Sequence, residues 1–306
     1  GGGDVVQQPA QPSVEYPLNT AELDQDEQAL QQVLQSAKSQ RVPTMTQLVD
    51  LIAINELLGT VESSGDGKNA NLVAQLETES LADKAAEFKT TNNDDTIGWI
   101  RIPNTNVDYP VVYKAGVENY AYYESKGYDK QYSKDGVIWA DYECTFPELS
   151  QNTTLYGHNW HNIYTPRTQA NMQANDLMFS LVMSYNYTDF AQENPFIYFS
   201  TTEQDYVFQV FASYYTDLNF GYNYAQMSQE DFQKVIAEAK AKSLSNYNVP
   251  VTSEDKIVTL STCTRVHGNT NNQRFVVMAK LVPVGTPSTT ISTHSNPIAY
   301  NSSIDA

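Results

Sequence analysis

The chain has 306 residues, with 18 basic and 36 acidic side chains and a formal net charge of −18 at pH 7. That balance excludes a nucleic-acid binder, which needs a basic footprint, and excludes charge-driven adhesion to an anionic membrane surface. Hydrophobic residues make up 41%, enough for a substantial core, and the two cysteines are too few for a disulfide framework.

Residues 1–19 are rich in Gln, Pro and Gly and read as a linker or an appended remnant. No apolar run of about 18 residues is present to span a bilayer. Gly1-Gly2-Gly3 reads as a cut end, with a native N-terminal anchor expected to have been removed. Residues 20–90 read as a helical region. One helix is expected over Thr20 to Gln40, a second after Pro43 and a third from about Asn71 to Lys89. Their apolar stripes are expected to pack on the body of the protein rather than carry chemistry.

From Ile97 the pattern changes to strands: Gly98–Ile102, Tyr109–Tyr113, Gly136–Ala140, Thr153–Tyr156, Phe196–Phe199, Tyr206–Ala212, Lys256–Leu260 and Arg274–Leu281. A short helix is expected near Met178–Val182. A longer one is expected over Ser228–Ser243, with Ser228 as cap and Phe232, Val235, Ile236 and Ala239 as its apolar face. Many short strands with one late helix predict a mainly β fold, a closed barrel, over residues 91–284. Residues 285–306 are Ser/Thr/Pro-rich and are expected to be a disordered tail.

Three residues are candidates for chemistry. Cys263 follows the apolar strand Ile257–Leu260 among small polar neighbours, so its thiol can face a cleft; a buried structural cysteine is the competing reading. His158 follows Gly157, where the chain bends out of a strand, and an imidazole there can serve as acid and base; His161 is its neighbour and rival. Arg274 opens the strand after the loop that follows Cys263, so it can stand beside the thiol in one sheet, whereas Arg265 lies in the loop. A Cys and a His far apart in sequence are the usual form of a cysteine-nucleophile enzyme.

The combination is more specific than its parts. Thr259-Leu260-Ser261-Thr262-Cys263 resembles the segment that marks sortases, particularly class B, and Tyr156-Gly157-His158-Asn159 resembles the segment carrying their catalytic His. Arg274 to Leu281 is similar to their final strand, which opens with the catalytic Arg. Ile97 to Pro103 with Asp108 to Val112 is similar to their first strand pair. The stretch from Phe211 to Pro250 resembles the helix-bearing insertion of class B, and the likeness covers roughly residues 70–284.

The resemblance implies an eight-stranded β-barrel with N-terminal helices, on the outer face of a Gram-positive cell, held by a single-pass anchor absent from this chain. It implies a cysteine transpeptidase that cuts a C-terminal sorting signal of the Asn-Pro-x-Thr-Asn type after Thr. The acyl group would pass through a thioester on Cys263 to an amine of a peptidoglycan precursor. His158 and Arg274 would complete the catalytic set, with Ser261 and Tyr222 near the signal; no cofactor and no metal ligand is assigned. A pilin-polymerising enzyme of the same family, with a Lys acceptor, would share this set. Simple hydrolysis shares the acyl-enzyme, and a non-catalytic barrel that binds wall peptides would not need all three residues. Thr264 stands where some class B members carry a carboxylate, and Cys144 is expected to be incidental.

Overall fold

The computed structural model describes residues 80–282 and 298–300. The expected helices over 20–40 and after Pro43 lie outside these residues, as does the start of the third. The third is present as α1, Leu81–Thr91, capped by Ser80, whose Oγ accepts from the Asp83 N–H. Its Leu81 and Ala85 pack on Trp99, Phe196 and Tyr198. The Asp205 carboxylate reaches its first turn, accepting from Ala82 N at 2.7 Å and from Ser80 Oγ at 2.9 Å. A carboxylate at a helix N-terminus satisfies N–H groups that the helix leaves unpaired.

Eight strands then close a barrel: β1 (Thr96–Arg101), β2 (Asp108–Val112), β3 (Ile138–Ala140), β4 (Asn152–Tyr156), β5 (Phe196–Thr201), β6 (Asp205–Asp217), β8 (Ile257–Cys263) and β9 (Gln273–Leu281). Around the barrel the order is β1-β2-β3-β4-β8-β9-β6-β5, with β5 pairing back onto β1. The pairs β2/β3 and β4/β8 are parallel and the other six antiparallel. Closure leaves no unpaired edge in the sheet.

Alternation divides each strand between two faces. Ala140, Leu155, Leu260 and Val277 sit side by side across β3, β4, β8 and β9, all within the main core cluster. On the other face Trp139, Tyr156, Ser261 and Val276 align in the same way. At Tyr156 and Ser261 that face is covered by the segment from Asn219 to Met227, which leads into α3, Gln229–Lys242, packed on β6 and capped by Ser228 as its sequence predicts.

Some elements differ from expectation. The helical stretch near Met178 is a 3₁₀ helix, Ser180–Asn186, followed by a short helix α2, Thr188–Glu193. Strand β8 runs on through the polar residues Ser261 and Thr262 to Cys263, because β4 pairs with it as far as Ser261 and β9 all the way to Cys263. A short strand β7, Ser245–Tyr247, pairs with β10, Ile298–Tyr300, so three residues of the tail expected to be disordered are ordered against the body.

Candidate active site

Strand β8 lies between β4 and β9, and its last residue is Cys263. Cys263 and Arg274 are direct cross-strand partners. On the other side the parallel ladder of β4 ends with Tyr156 opposite Ser261. Just beyond it Gly157 N bonds the Ser261 carbonyl at 3.4 Å and Asn159 Nδ2 bonds the Cys263 carbonyl at 3.1 Å, which holds the His158 segment beside the end of β8. The three sequence-predicted residues therefore lie at one end of the barrel, Arg274 on the strand to one side of Cys263 and His158 just past the strand to the other.

Gly157 decides which way His158 points. A Cβ at position 157 would lie 2.6 Å from both Ile138 Cδ1 and Phe179 Cγ, so the core leaves room only for glycine. The next side chain falls on the opposite face, which Cys263 shares by the same alternation. The imidazole is buried, with its ring centroid 5.5 Å from that of Trp139 and 5.2 Å from that of Trp160. Its Nε2 meets the carbonyl oxygen of Glu124 at 2.5 Å. A carbonyl only accepts, so Nε2 carries the proton and the neutral ring offers its lone pair at Nδ1. Burial holds this histidine below its usual pKa; the Glu124 carbonyl and Asp135 oppose that shift, and Arg274 adds to it.

Arg274 is 3% exposed. Its Nη1 donates to the carbonyls of Asn271 and Gln273, each at 2.9 Å, which fixes the plane of the fork. The rival Arg265 is held by the loop's own asparagines, donating to Asn269 Oδ1 at 3.0 Å and Asn271 Oδ1 at 2.7 Å. His161 and His267 are exposed, and His267 rests edge-on against the Tyr215 ring.

Ser261 and Tyr222 are brought together, and each is 3% exposed. Their hydroxyls bond each other at 2.8 Å, and burial pushes the phenol up to about 12. They belong to a set of ties that holds the Asn219–Met227 segment down. Asn152 Nδ2 donates to the Tyr222 carbonyl, Asn152 N to that of Ala225, and Met227 N to Gln151 Oε1. Asn223 Nδ2 donates to Tyr156 Oη, which donates to Asp141 Oδ2 at 2.7 Å.

The two thiols differ. Cys263 is partly exposed, whereas Cys144 is 2% exposed and burial drives its pKa far up, with Asp141 adding to the shift. Sequence reasoning missed Glu124, which acts through its carbonyl and so leaves no side-chain signal. It also missed Trp139 and Trp160; the adjacency of Trp160 to His158 was the available hint.

A closed barrel with a partly exposed thiol at a strand end, set between an imidazole and a guanidinium, is the layout of a barrel-type cysteine acyl-transfer enzyme. The chain belongs to the sortase family: the family model for the sortase domain matches residues 100–282. It is 31% identical over 193 residues to sortase B of Staphylococcus aureus, which covers 63% of this chain and 72% of that protein. A structure of the S. aureus sortase B–substrate complex superposes with a TM-score of 0.56 at 27% identity, covering 72% of this chain and 93% of that one. A structure of sortase B complexed with Gly3 gives a TM-score of 0.54 at 27% identity, covering 72% of this chain and 94% of that one. The protein is thus a cysteine transpeptidase related to class B sortases, enzymes of cell-wall anchoring that act at the cell surface. Among the described residues no helix is long and apolar enough to cross a membrane.

Proposed function

We propose that this enzyme cuts a C-terminal sorting signal of the Asn-Pro-x-Thr-Asn type after Thr and joins the freed acyl group to a cell-wall amine. It would work on surface proteins at the outer face of a Gram-positive cell, held by an N-terminal anchor. The observation that carries the reading is the pairing of Cys263 with Arg274 on one side and the exit of His158 from β4 on the other.

In this mechanism the Cys263 sulfur, as thiolate, attacks the Thr carbonyl carbon. The carbonyl oxygen becomes an oxyanion and receives N–H bonds from the Arg274 fork. Losing one such donor typically costs about 3–4 kcal/mol of transition-state stabilisation. As the C–N bond breaks, the proton on Nδ1 of the His158 imidazolium passes to the leaving amine. A thioester remains. An incoming amine attacks it, gives its proton to Nδ1 of His158, and releases Cys263 as thiolate. Ser261 and Tyr222 serve the signal by holding the Asn219–Met227 segment as a wall beside the thiol.

Sortase B has been crystallised with substrate and with Gly3, which supports an amine acceptor for the class. The test is intact-protein mass spectrometry after incubation with a peptide containing Asn-Pro-Gln-Thr-Asn, beside a Cys263→Ala control. An adduct ending at Thr, absent from the control, is expected. Absence of adduct and of cleavage across a panel of related signals would overturn the signal assignment.

A further inference from the structure

The residue after the base is as firmly placed as the base itself. Asn159 is 2% exposed, and its amide is fully used. Nδ2 donates to the carbonyl of Cys263 at 3.1 Å and to that of Asn162 at 3.0 Å. Oδ1 accepts from Asn162 N at 3.0 Å and from Ser180 Oγ at 3.1 Å.

One of these bonds crosses between the two strands that carry the reacting groups. The β4/β8 ladder has its last pair at Tyr156 and Ser261, and the next main-chain bond, Gly157 N to Ser261 O, is already long at 3.4 Å. Beyond it the chain turns at Gly157 and the backbones part. There the Asn159 amide takes over from the ladder and bonds the nucleophile's own carbonyl. The loop it starts returns to the other side of Cys263: Ile163 O accepts from Arg265 N at 2.7 Å and from Thr264 Oγ1 at 3.2 Å. His158 is held in the same frame, its carbonyl accepting from Phe179 N at 3.1 Å.

We infer that Asn159 is a positioning residue for the acyl-transfer reaction, a side-chain rung that fixes the separation of His158 from Cys263. The inference rests on the assignment of Cys263 as nucleophile and His158 as base. It acts on transfer rather than on binding, because it touches the main chain of the nucleophile and not the groove. A displacement of about 1 Å between reacting groups is enough to lower a rate roughly a hundredfold.

Asn159→Ala removes the rung, and Asn159→Asp turns an acceptor toward two carbonyls that need donors. Each is to be compared with wild type by kcat and KM for cleavage of the Asn-Pro-Gln-Thr-Asn peptide, by the pH profile of Cys263 alkylation with iodoacetamide, and by thermal melting. The expected result is a loss in kcat of roughly 10- to 100-fold with KM little changed, and a displaced alkylation profile. A lower melting temperature with wild-type kcat and an unmoved profile would show that Asn159 only supports the fold, and would overturn the inference. Should Asn159→Ala not fold, Asn159→Ser is read by the same criteria. A Cys263→Ala enzyme that still cleaves the peptide would overturn the site assignment instead, so the two failures are told apart.

Discussion

Cys263 and Arg274 face each other across the antiparallel pair β8/β9, the last residue of one strand opposite the second residue of the next. Eleven residues apart in sequence (274 − 263), they are side by side because a loop folds the chain back on itself. Arg274→Lys keeps the charge but loses the planar fork and its two bonds to Asn271 and Gln273. The expected outcome is a fall in kcat of about a hundredfold, in line with the loss of an oxyanion donor. Full activity in Arg274→Lys, measured by peptide cleavage, would rule out the oxyanion role.

Alkylation should find one thiol. Cys144 is buried and its thiol is held far from ionisation, whereas Cys263 is partly exposed. Peptide mapping after brief iodoacetamide treatment of the native protein is expected to show label at Cys263 alone. Cys144→Ala should leave transpeptidation unchanged; a large loss of activity there would mean that the wrong thiol has been assigned.

Glu143 gives a pH signature. Burial raises its carboxyl to about 7, and the nearby Asp141 adds to that; the Ala225 N–H works the other way. The folded state therefore keeps this proton over a window in which the unfolded chain, with a carboxyl of about 4.3, has lost it. A proton held only by the folded state stabilises below that window and ceases to help as pH rises through 7. Glu143→Gln should raise the melting temperature at pH 8 and leave it nearly unchanged at pH 4.5. An equal shift at both pH values would contradict this.

At position 157 a single methyl group should disturb both fold and catalysis. Gly157→Ala forces a Cβ against Ile138 and Phe179 at 2.6 Å, where the core has no slack. Overpacking of this kind costs about 1–3 kcal/mol. For a domain of this size that is a drop in melting temperature of roughly 3–10 °C. Cleavage should fall further than the melting temperature implies, since the same methyl group displaces His158.

The wall beside the thiol is tested by Tyr222→Phe, which deletes the bond to Ser261 at 2.8 Å and leaves the ring in place. A stability loss of about 1 kcal/mol is expected. Steady-state kinetics should show a raised KM for the signal peptide with kcat nearly kept. A fall in kcat alone would assign Tyr222 to the reacting atoms instead.

The sequence by itself determined the strands with apolar alternation and the capped helix after Ser228, and it offered the thiol, imidazole and guanidinium as candidates, because each depends on local pattern or on a short motif. It placed the end of β8 too early, at Leu260. Ser261 to Cys263 carry no apolar alternation, and their strand conformation comes from pairing with β9 throughout and with β4 at Ser261. It also read Ser261 and Tyr222 as groups near the signal; only the fold shows that their hydroxyls bond each other. Barrel closure decided what no local pattern encodes: the Glu124 carbonyl and the Trp139 ring on the imidazole, and the Asn159 amide on the Cys263 carbonyl. These contacts join residues 19 to 104 positions apart and are made by backbone atoms or by side chains of ordinary type. Only the pairing of distant strands brings them within bonding distance, and a motif read along one dimension holds no trace of that.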